Sequence, residues 1–377
     1  MKLNSILFYL LTFVLVSCGS DSQKNVNHDS GTVADQEKTF TKLPEVFYMQ
    51  LKGTINGNLP ITMEMTKNDT TVHGTYYYDK IKIPITVYGS AAVDSKINLR
   101  ELDENYEETG TFDGAFVSSD TFKGTWTNSE TNKSMPFVLV RNTEGVAGIT
   151  FEHFHKENCD FKNENLGHVE DIVTWTDTMC SYIDITTIKV TAANPEASAA
   201  INKTITDAIC FSGETHYPSI EAFLNSVDTE SDDYFYSQDY NVRVLMNENN
   251  ILSISIDYSE YSGGAHPLSF CGYYSFDLQT GKQIKLEDIL LAGSAMRLNA
   301  IGEPIFFKKY GAEGWNFEPG QFKFNSNFAI MPGGLLFLFG QYEIGSYAAG
   351  MPEVFLPFKS IDELIKPTAL TKRMYKH

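Results

Sequence analysis

The sequence predicts two folded parts. The first is an N-terminal all-β domain, a small up-and-down barrel or a sandwich, and the second is an α+β domain with an antiparallel sheet and flanking helices. Three observations predict this. Residues 44–141 break into eight strand-length runs separated by turn pairs such as Asn56-Gly57, Asn68-Asp69 and Asp79-Lys80, with no helical period. From residue 182 onward, strand-like and helix-like runs succeed one another with hairpins between them. The chain has 377 residues, room for about two domains, and its 42% hydrophobic and 13% aromatic content supports packed cores.

The eight runs are Val46–Thr54, Ile61–Thr66, Thr71–Tyr78, Ile81–Tyr88, Lys96–Leu102, Glu108–Phe116, Thr121–Thr127 and Ser134–Val140. A Gly-Thr-aromatic theme recurs at Gly74-Thr75-Tyr76, Gly110-Thr111-Phe112 and Gly124-Thr125-Trp126. Glycine lets a strand bend while the aromatic fills the interior, so these rings are expected in the core. The sharper alternative is a ligand mouth lined by Tyr76, Tyr78, Phe112 and Trp126. The domain is expected over residues 43–145, with Gly145 to Gly148 as the boundary and the α+β domain over residues 149–370.

In that second part, His153, His155 and His168 stand amid Glu152, Glu157 and Asp160. Histidines at i and i+2 share one side of a strand and can share an ion, but no further His or Cys sits at ligand spacing, so no metal is expected. Residues 182–190 alternate as a strand, and Asn194-Pro195-Glu196 opens a helix with Asn as cap and Pro at its first position. Ala197, Ala200, Ile201, Ile205, Ala208 and Ile209 supply its apolar face. A second helix is expected over Ser219–Val227, then an acidic run from Asp228 to Asp233, then strands at Tyr240–Met246 and Ile251–Tyr258. Gly263-Gly264 and Pro267 break the chain before the strand-length run 273–278, and Gln279-Thr280-Gly281-Lys282 makes the next turn. A helical period follows over Leu286–Tyr310, interrupted at Gly293 and at Gly302-Glu303-Pro304, and strands return at 321–331, 335–342 and Val354–Pro357.

The first eighteen residues point to export. Lys2 precedes the apolar run Ile6–Val16, which has the proportions of a signal-peptide core, and Leu15-Val16-Ser17-Cys18 has the form of a lipobox in which Cys18 is acylated on sulfur and becomes the mature N-terminus. Residues 1–18 are thus read as a lipoprotein signal peptide. Residues 19–42, rich in Ser, Asp, Asn, Lys and Gln, are read as a disordered tether. The expected location is the cell envelope, with a lipid anchor in a bacterial membrane. Setting Cys18 aside leaves Cys159, Cys180, Cys210 and Cys271, an even set that suits disulfides in an exported protein. Three pairings are open. Cys159 with Cys180 and Cys210 with Cys271 is the one expected, since it closes one local loop and ties a helix to the central sheet.

The net charge of −19 excludes nucleic acid, whose phosphates need a basic face, and electrostatic docking on anionic lipid; it suits a basic partner. No Gly-x-Ser-x-Gly elbow, His-Glu-x-x-His or phosphate-cradling loop is present, so no catalytic residue and no cofactor is expected. His266 is the residue most easily mistaken for a general base, since Ser262, Asp257 and Glu260 allow a triad to be drawn around it. An envelope hydrolase built there is the alternative reading, and a structural or assembly lipoprotein is another. The segment Tyr342-Glu343-Ile344-Gly345-Ser346-Tyr347 leaves a strand and enters a small-residue loop that displays two tyrosines, the kind of place where recognition sits. Tyr342, Glu343 and Tyr347, with His266 and Tyr261, are therefore the candidate ligand-binding residues.

The same stretches carry a resemblance. Tyr261 followed by Gly-Gly-Ala-His, an aromatic strand ending in Asp-Leu-x-Thr-Gly-Lys, then Leu-x-Asp-Ile-Leu, and later Gln-Tyr-Glu-Ile-x-x-Tyr-Ala-Ala-Gly before Pro-Phe, resembles domain of unknown function 3298. That domain is the C-terminal extracellular module of a lysozyme-sensing anti-sigma factor. With the smaller module that usually precedes it, here from near Cys180, the likeness spans residues 180–366. It implies a lysozyme-like hydrolase or a peptidoglycan fragment as the first ligand to test. It also implies no catalysis in this region, because enzymatic members carry their activity in a separate domain. The transmembrane segment and sigma-binding helix of a true anti-sigma factor are not recognised, so direct signalling is not expected.

Overall fold

The protein is described by a computed structural model over residues 43–92, 95–103, 106–159, 180–212, 215–227 and 236–375. The expected signal peptide with Cys18, the expected tether, His168 and the acidic run Asp228 to Asp233 lie outside the described residues.

Eight strands open the described chain: β1 (Val46–Ile55), β2 (Leu59–Asn68), β3 (Thr71–Tyr78), β4 (Ile85–Ala91), β5 (Lys96–Leu102), β6 (Glu108–Ser118), β7 (Thr121–Asn128) and β8 (Ser134–Arg141). Each pairs antiparallel with the next, and β1 pairs back onto β8, so the sheet closes into a barrel and the sandwich alternative falls. Asn56 and Gly57 both take positive φ, at 55° and 69°, in the loop between the paired residues Ile55 and Leu59. β4 starts four residues later than expected, because Lys82 turns with φ 58° and Pro84 has no N–H to give to a ladder.

Alternate residues point inward and fill the barrel. Leu51, Ile61, Met63, Val72, Tyr76, Leu99, Phe112, Phe122 and Phe137 are all buried. Phe112 meets Tyr76 and Phe137 edge-on at centroid distances of 5.2 and 5.3 Å. At Gly74 a Cβ would lie 1.9 Å from the Glu64 carbonyl oxygen, and at Gly124 it would lie 2.0 Å from that of Asp113, so these strands approach closely only without a side chain. The ligand-mouth alternative gives way to core. Tyr76 OH, Trp126 Nε1 and Thr109 Oγ1 all donate to the interior carboxylate of Glu101, at 2.6, 2.9 and 2.7 Å.

The second part is built on β9 (Gly148–Asn158), β10 (Ser181–Thr191), α1 (Pro195–Ile209), the short pair β11 (Phe211–Ser212) and β12 (Thr215–His216), α2 (Ile220–Ser226), β13 (Ser237–Glu248), β14 (Ile251–Tyr261) and β15 (Leu268–Asp277). Its five-stranded sheet has the order β15-β14-β13-β10-β9. The expected all-antiparallel sheet is corrected here, since β10 and β13 run parallel. The chain leaves β10, crosses over the sheet through α1 and α2 and returns in the same direction, which only a helical crossover of this length permits. α1 begins as its sequence dictates: Asn194 Oδ1 accepts from the Glu196 N–H at 3.0 Å and Pro195 follows at the first helical position. Its buried residues Ile201, Ile205 and Ile209 meet the sheet face that carries Ile183, Ile185, Leu252 and Ile254.

A third layer follows: α3 (Leu286–Ile289), α4 (Ala295–Tyr310), β16 (Phe328–Met331), β17 (Gly334–Leu338) and β18 (Glu353–Pro357). α4 runs through Pro304, where the sequence suggested a break. Leu298, Gly302 and Phe306 on one face are buried, and a Cβ at Gly302 would lie 2.2 Å from the Phe324 ring. Packing therefore overrides the local proline cost. The strands β16–β18 pack against the sheet on the side away from α1, where Ala329, Met331 and Leu338 meet Tyr273.

Cys159 and Cys180 form a disulfide. The expected Cys210–Cys271 bridge does not form; both thiols are free. Cys210 ends α1 within the core on that helix's side, whereas Cys271 packs with Tyr273 and Ala329 on the other. Burial, with Asp207 and Glu221 nearby, pushes the Cys210 thiol up to about 11, so it stays protonated at neutral pH.

A buried polar seam joins barrel and sheet. Glu64 accepts from Tyr48 OH, from Gln50 Nε2 at 2.9 Å and from the Asn247 backbone N–H at 3.2 Å, and Tyr77 OH donates to Glu248. The Asn247 side chain bonds both the N–H and the carbonyl of Ala147, at 2.8 and 2.9 Å.

Candidate functional site

The β14–β15 hairpin ends in Gly263 and Gly264, whose φ of 91° and 97° make the tip that Pro267 closes. The second segment leaves β17 and runs from Gly340 to Gly350. It is held from within: Glu343 Oε2 accepts from the Gly340 N–H at 2.7 Å, and Asn325 Nδ2 donates to Glu343 Oε1 at 2.9 Å. The N–H of Asn316 reaches the Ile344 carbonyl at 2.9 Å, and Gly345 lies against Trp315. Gln341 Oε1 fastens the segment to the hairpin by accepting from the Ser269 N–H at 3.0 Å.

Two segments some eighty residues apart thus meet at one exposed place. The imidazole of His266 stacks on the ring of Tyr347 with centroids 3.8 Å apart and planes 22° from parallel. Tyr347 OH donates to the Pro267 carbonyl at 2.9 Å, and Tyr342 OH stands 3.5 Å from His266 Nε2, at the long limit of a hydrogen bond. Tyr342 and Tyr347 are 5.7 Å apart, and Tyr261 OH donates to the Gly264 carbonyl at 3.1 Å. Tyr342 has φ 64° and is 54% exposed. A bulky aromatic in that backbone region is uncommon and is found where surrounding structure enforces it.

Of the five residues singled out, His266, Tyr342 and Tyr347 come together, Tyr261 bonds the hairpin tip at Gly264, and Glu343 is occupied in bracing its own loop. The triad drawn around His266 is not assembled. Asp257 takes the Arg243 guanidinium at 2.7 Å, Glu260 accepts from Tyr258 OH, and His266 Nδ1 lies 3.1 Å from the Pro267 carbonyl. His153 and His155 share one strand face as expected, and both reach the carboxylate of Asp184, at 3.0 and 3.1 Å. Burial works against protonation of His155, but Glu157 and Asp184 raise its pKa overall.

The sequence reading missed a cleft of about 540 Å³ between barrel and sheet, where His73, His153, Asp184, Asn241 and Arg243 face one another. Burial, and then Arg243, lower the His73 pKa. No local motif marks these residues, since they converge only when the barrel docks.

The described chain is thus a closed and filled barrel followed by an α/β layer that displays an aromatic cluster on braced loops. Its C-terminal part contains a DUF3298 domain: residues 287–359 match the family described as protein of unknown function DUF3298. Residues 176–269 match the family described as deacetylase PdaC. No curated protein matches the chain. Two solved structures are similar in part. One is a DUF3298 family member from Bacteroides fragilis NCTC 9343, with 17% identity over 62% of this chain and 99% of that one and a TM-score of 0.48. The other is a DUF3298 family protein from Pseudomonas aeruginosa PAO1, with 17% identity over 61% of this chain and 97% of that one and a TM-score of 0.45.

Proposed function

We propose that this is a non-catalytic, lipid-anchored cell-envelope protein whose C-terminal part binds a macromolecular partner through the cluster of His266, Tyr342, Tyr347 and Tyr261. The observation that carries the reading is the stack of His266 on Tyr347 beside the exposed Tyr342 on a braced loop. Rings held in advance lose little entropy on binding, which is what makes tyrosine frequent among binding anchors. The excess of 19 acids favours a basic partner. A lysozyme-like hydrolase is accordingly the first ligand to test and a peptidoglycan fragment the second.

The envelope-hydrolase alternative draws on the deacetylase name of the family matched at residues 176–269. Against it, His266 is paired with backbone and tyrosine rather than with a carboxylate and a nucleophile. The test is a titration of the soluble chain, residues 43–377, with an animal-type lysozyme and with soluble peptidoglycan fragments, at low and at physiological salt. Saturable binding that weakens with salt supports the proposal; absence of binding to both rejects it. His266→Ala should lower stability without removing a catalysed reaction, and loss of a measurable hydrolysis with the fold intact would favour the enzyme instead.

A further inference from the structure

On the α1 side of the sheet, between the ends of α1 and α2 and the strands β13 to β15, lies an open pocket of about 530 Å³. That is within the range of small-molecule sites, roughly 300–1,000 Å³. Its walls are aromatic: Tyr240 and Tyr258 have centroids 4.7 Å apart, and Phe270 stacks beside Tyr258 at 6.1 Å with its planes 24° from parallel. Phe270 is 54% exposed, an apolar ring face presented to solvent.

The polar groups of the pocket are its tyrosine hydroxyls, the Gln238 amide and the Glu260 carboxylate. Tyr258 OH gives its proton to Glu260 and accepts from Gln238 Nε2 at 2.9 Å. The other end of that amide, Gln238 Oε1, is buried and has no hydrogen-bond partner, and among the described residues it is the only buried side-chain nitrogen or oxygen in that condition. A buried carbonyl without a donor is costly and calls for an explanation. Among the described residues no lysine or arginine lines the pocket, and the one charged side chain there is Glu260.

We propose that this pocket binds a neutral saccharide, with a pyranose face against Phe270 and Tyr258 and an N–H or O–H donor directed to Gln238 Oε1 and Glu260. An anionic ligand would find no cation there. A purely apolar ligand would leave Gln238 Oε1 unmet. A quaternary ammonium such as choline suits aromatic walls but brings a single hydroxyl, where a saccharide offers several donors. The pocket shares no residue with the cluster around His266, and the inference stands independently of the macromolecular partner proposed above.

The test is calorimetric titration of the full chain with the trimer of N-acetylglucosamine, with choline as the comparison probe. A saturable isotherm for the sugar and none for choline is expected. Phe270→Ala should weaken sugar binding at least tenfold. Gln238→Met keeps the side-chain length and removes the orphaned oxygen; it should weaken binding about tenfold while the melting temperature holds or rises, a split that a merely structural residue would not give. If Gln238→Met fails to fold, Phe270→Ala, altered at a half-exposed ring, carries the test alone. Absence of sugar binding by folded protein, binding of choline in its place, or unchanged affinity in Phe270→Ala would overturn the proposal.

Discussion

Glu64 is the side chain on which the joint between barrel and sheet turns. Burial, and then the nearby Glu248 carboxylate, raise its pKa well above the ordinary 4.5, while the hydrogen bond from the Asn247 N–H pulls the other way. A carboxyl whose folded pKa is raised favours folding while protonated. Its contribution is fully present below the unfolded pKa and is lost as pH rises through the folded one. The parent should therefore lose stability from about pH 4.5 upward, and Glu64→Gln, neutral throughout, should flatten that slope and be the more stable form at pH 8. Denaturant melts at several pH values check this; equal slopes for the two proteins would mean that Glu64 does not carry the effect. His73 acts on the other side: its lowered pKa means stability present above 6.5 and lost as pH falls through the folded value. Neither effect is legible in the sequence, because burial of Glu64 depends on Asn247, far along the chain. The same holds for Cys271. Its parity along β15 puts it opposite Asp257 and on the side away from α1, and no spacing rule for cysteines contains that fact.

At the level of elements, the sequence was most legible where local chemistry decides. Barrel strands fall close to the runs read from turn pairs, and α1 starts at its Asn-Pro cap. The hidden features are those set by partners. β9 carries polar residues on both faces because it is an edge strand, so its period is weak, and the residues between 321 and 327 are tied to their neighbours without forming the expected strand. The glycines of the barrel permit a sharp test. Since a Cβ at position 124 would meet Asp113 O at 2.0 Å, Gly124→Ala should destabilise the protein by about 1–3 kcal/mol, the usual range for overpacking. Thermal unfolding measures it; a melting temperature equal to the parent's would show that β6 and β7 can part without cost.

For the whole molecule, the proposed export and lipid attachment rest on residues 1–18. Cys18→Ala should release the protein from membranes into the soluble fraction, and full retention in the membrane fraction would contradict the lipid anchor. Among the described residues no helix is long and apolar enough to cross a membrane, which leaves attachment to be tested by that substitution. On the proposed function, a chain with 19 excess acids should meet a basic partner quickly at low salt, while docked rings would set how long the pair lasts. The aromatic cluster was legible as two separate motifs around His266 and Tyr347; their stacking was not, because it depends on how the loop after β17 folds back on the β14–β15 hairpin. The most direct measurement is the dissociation rate of a lysozyme complex, compared between the parent and Tyr347→Ala with its fold verified. Loss of an inserted ring should cost about 2 kcal/mol or more, roughly a thirtyfold faster release with association little changed. A Tyr347→Ala protein that releases lysozyme at the parent's rate would contradict the placement of the binding surface at this cluster.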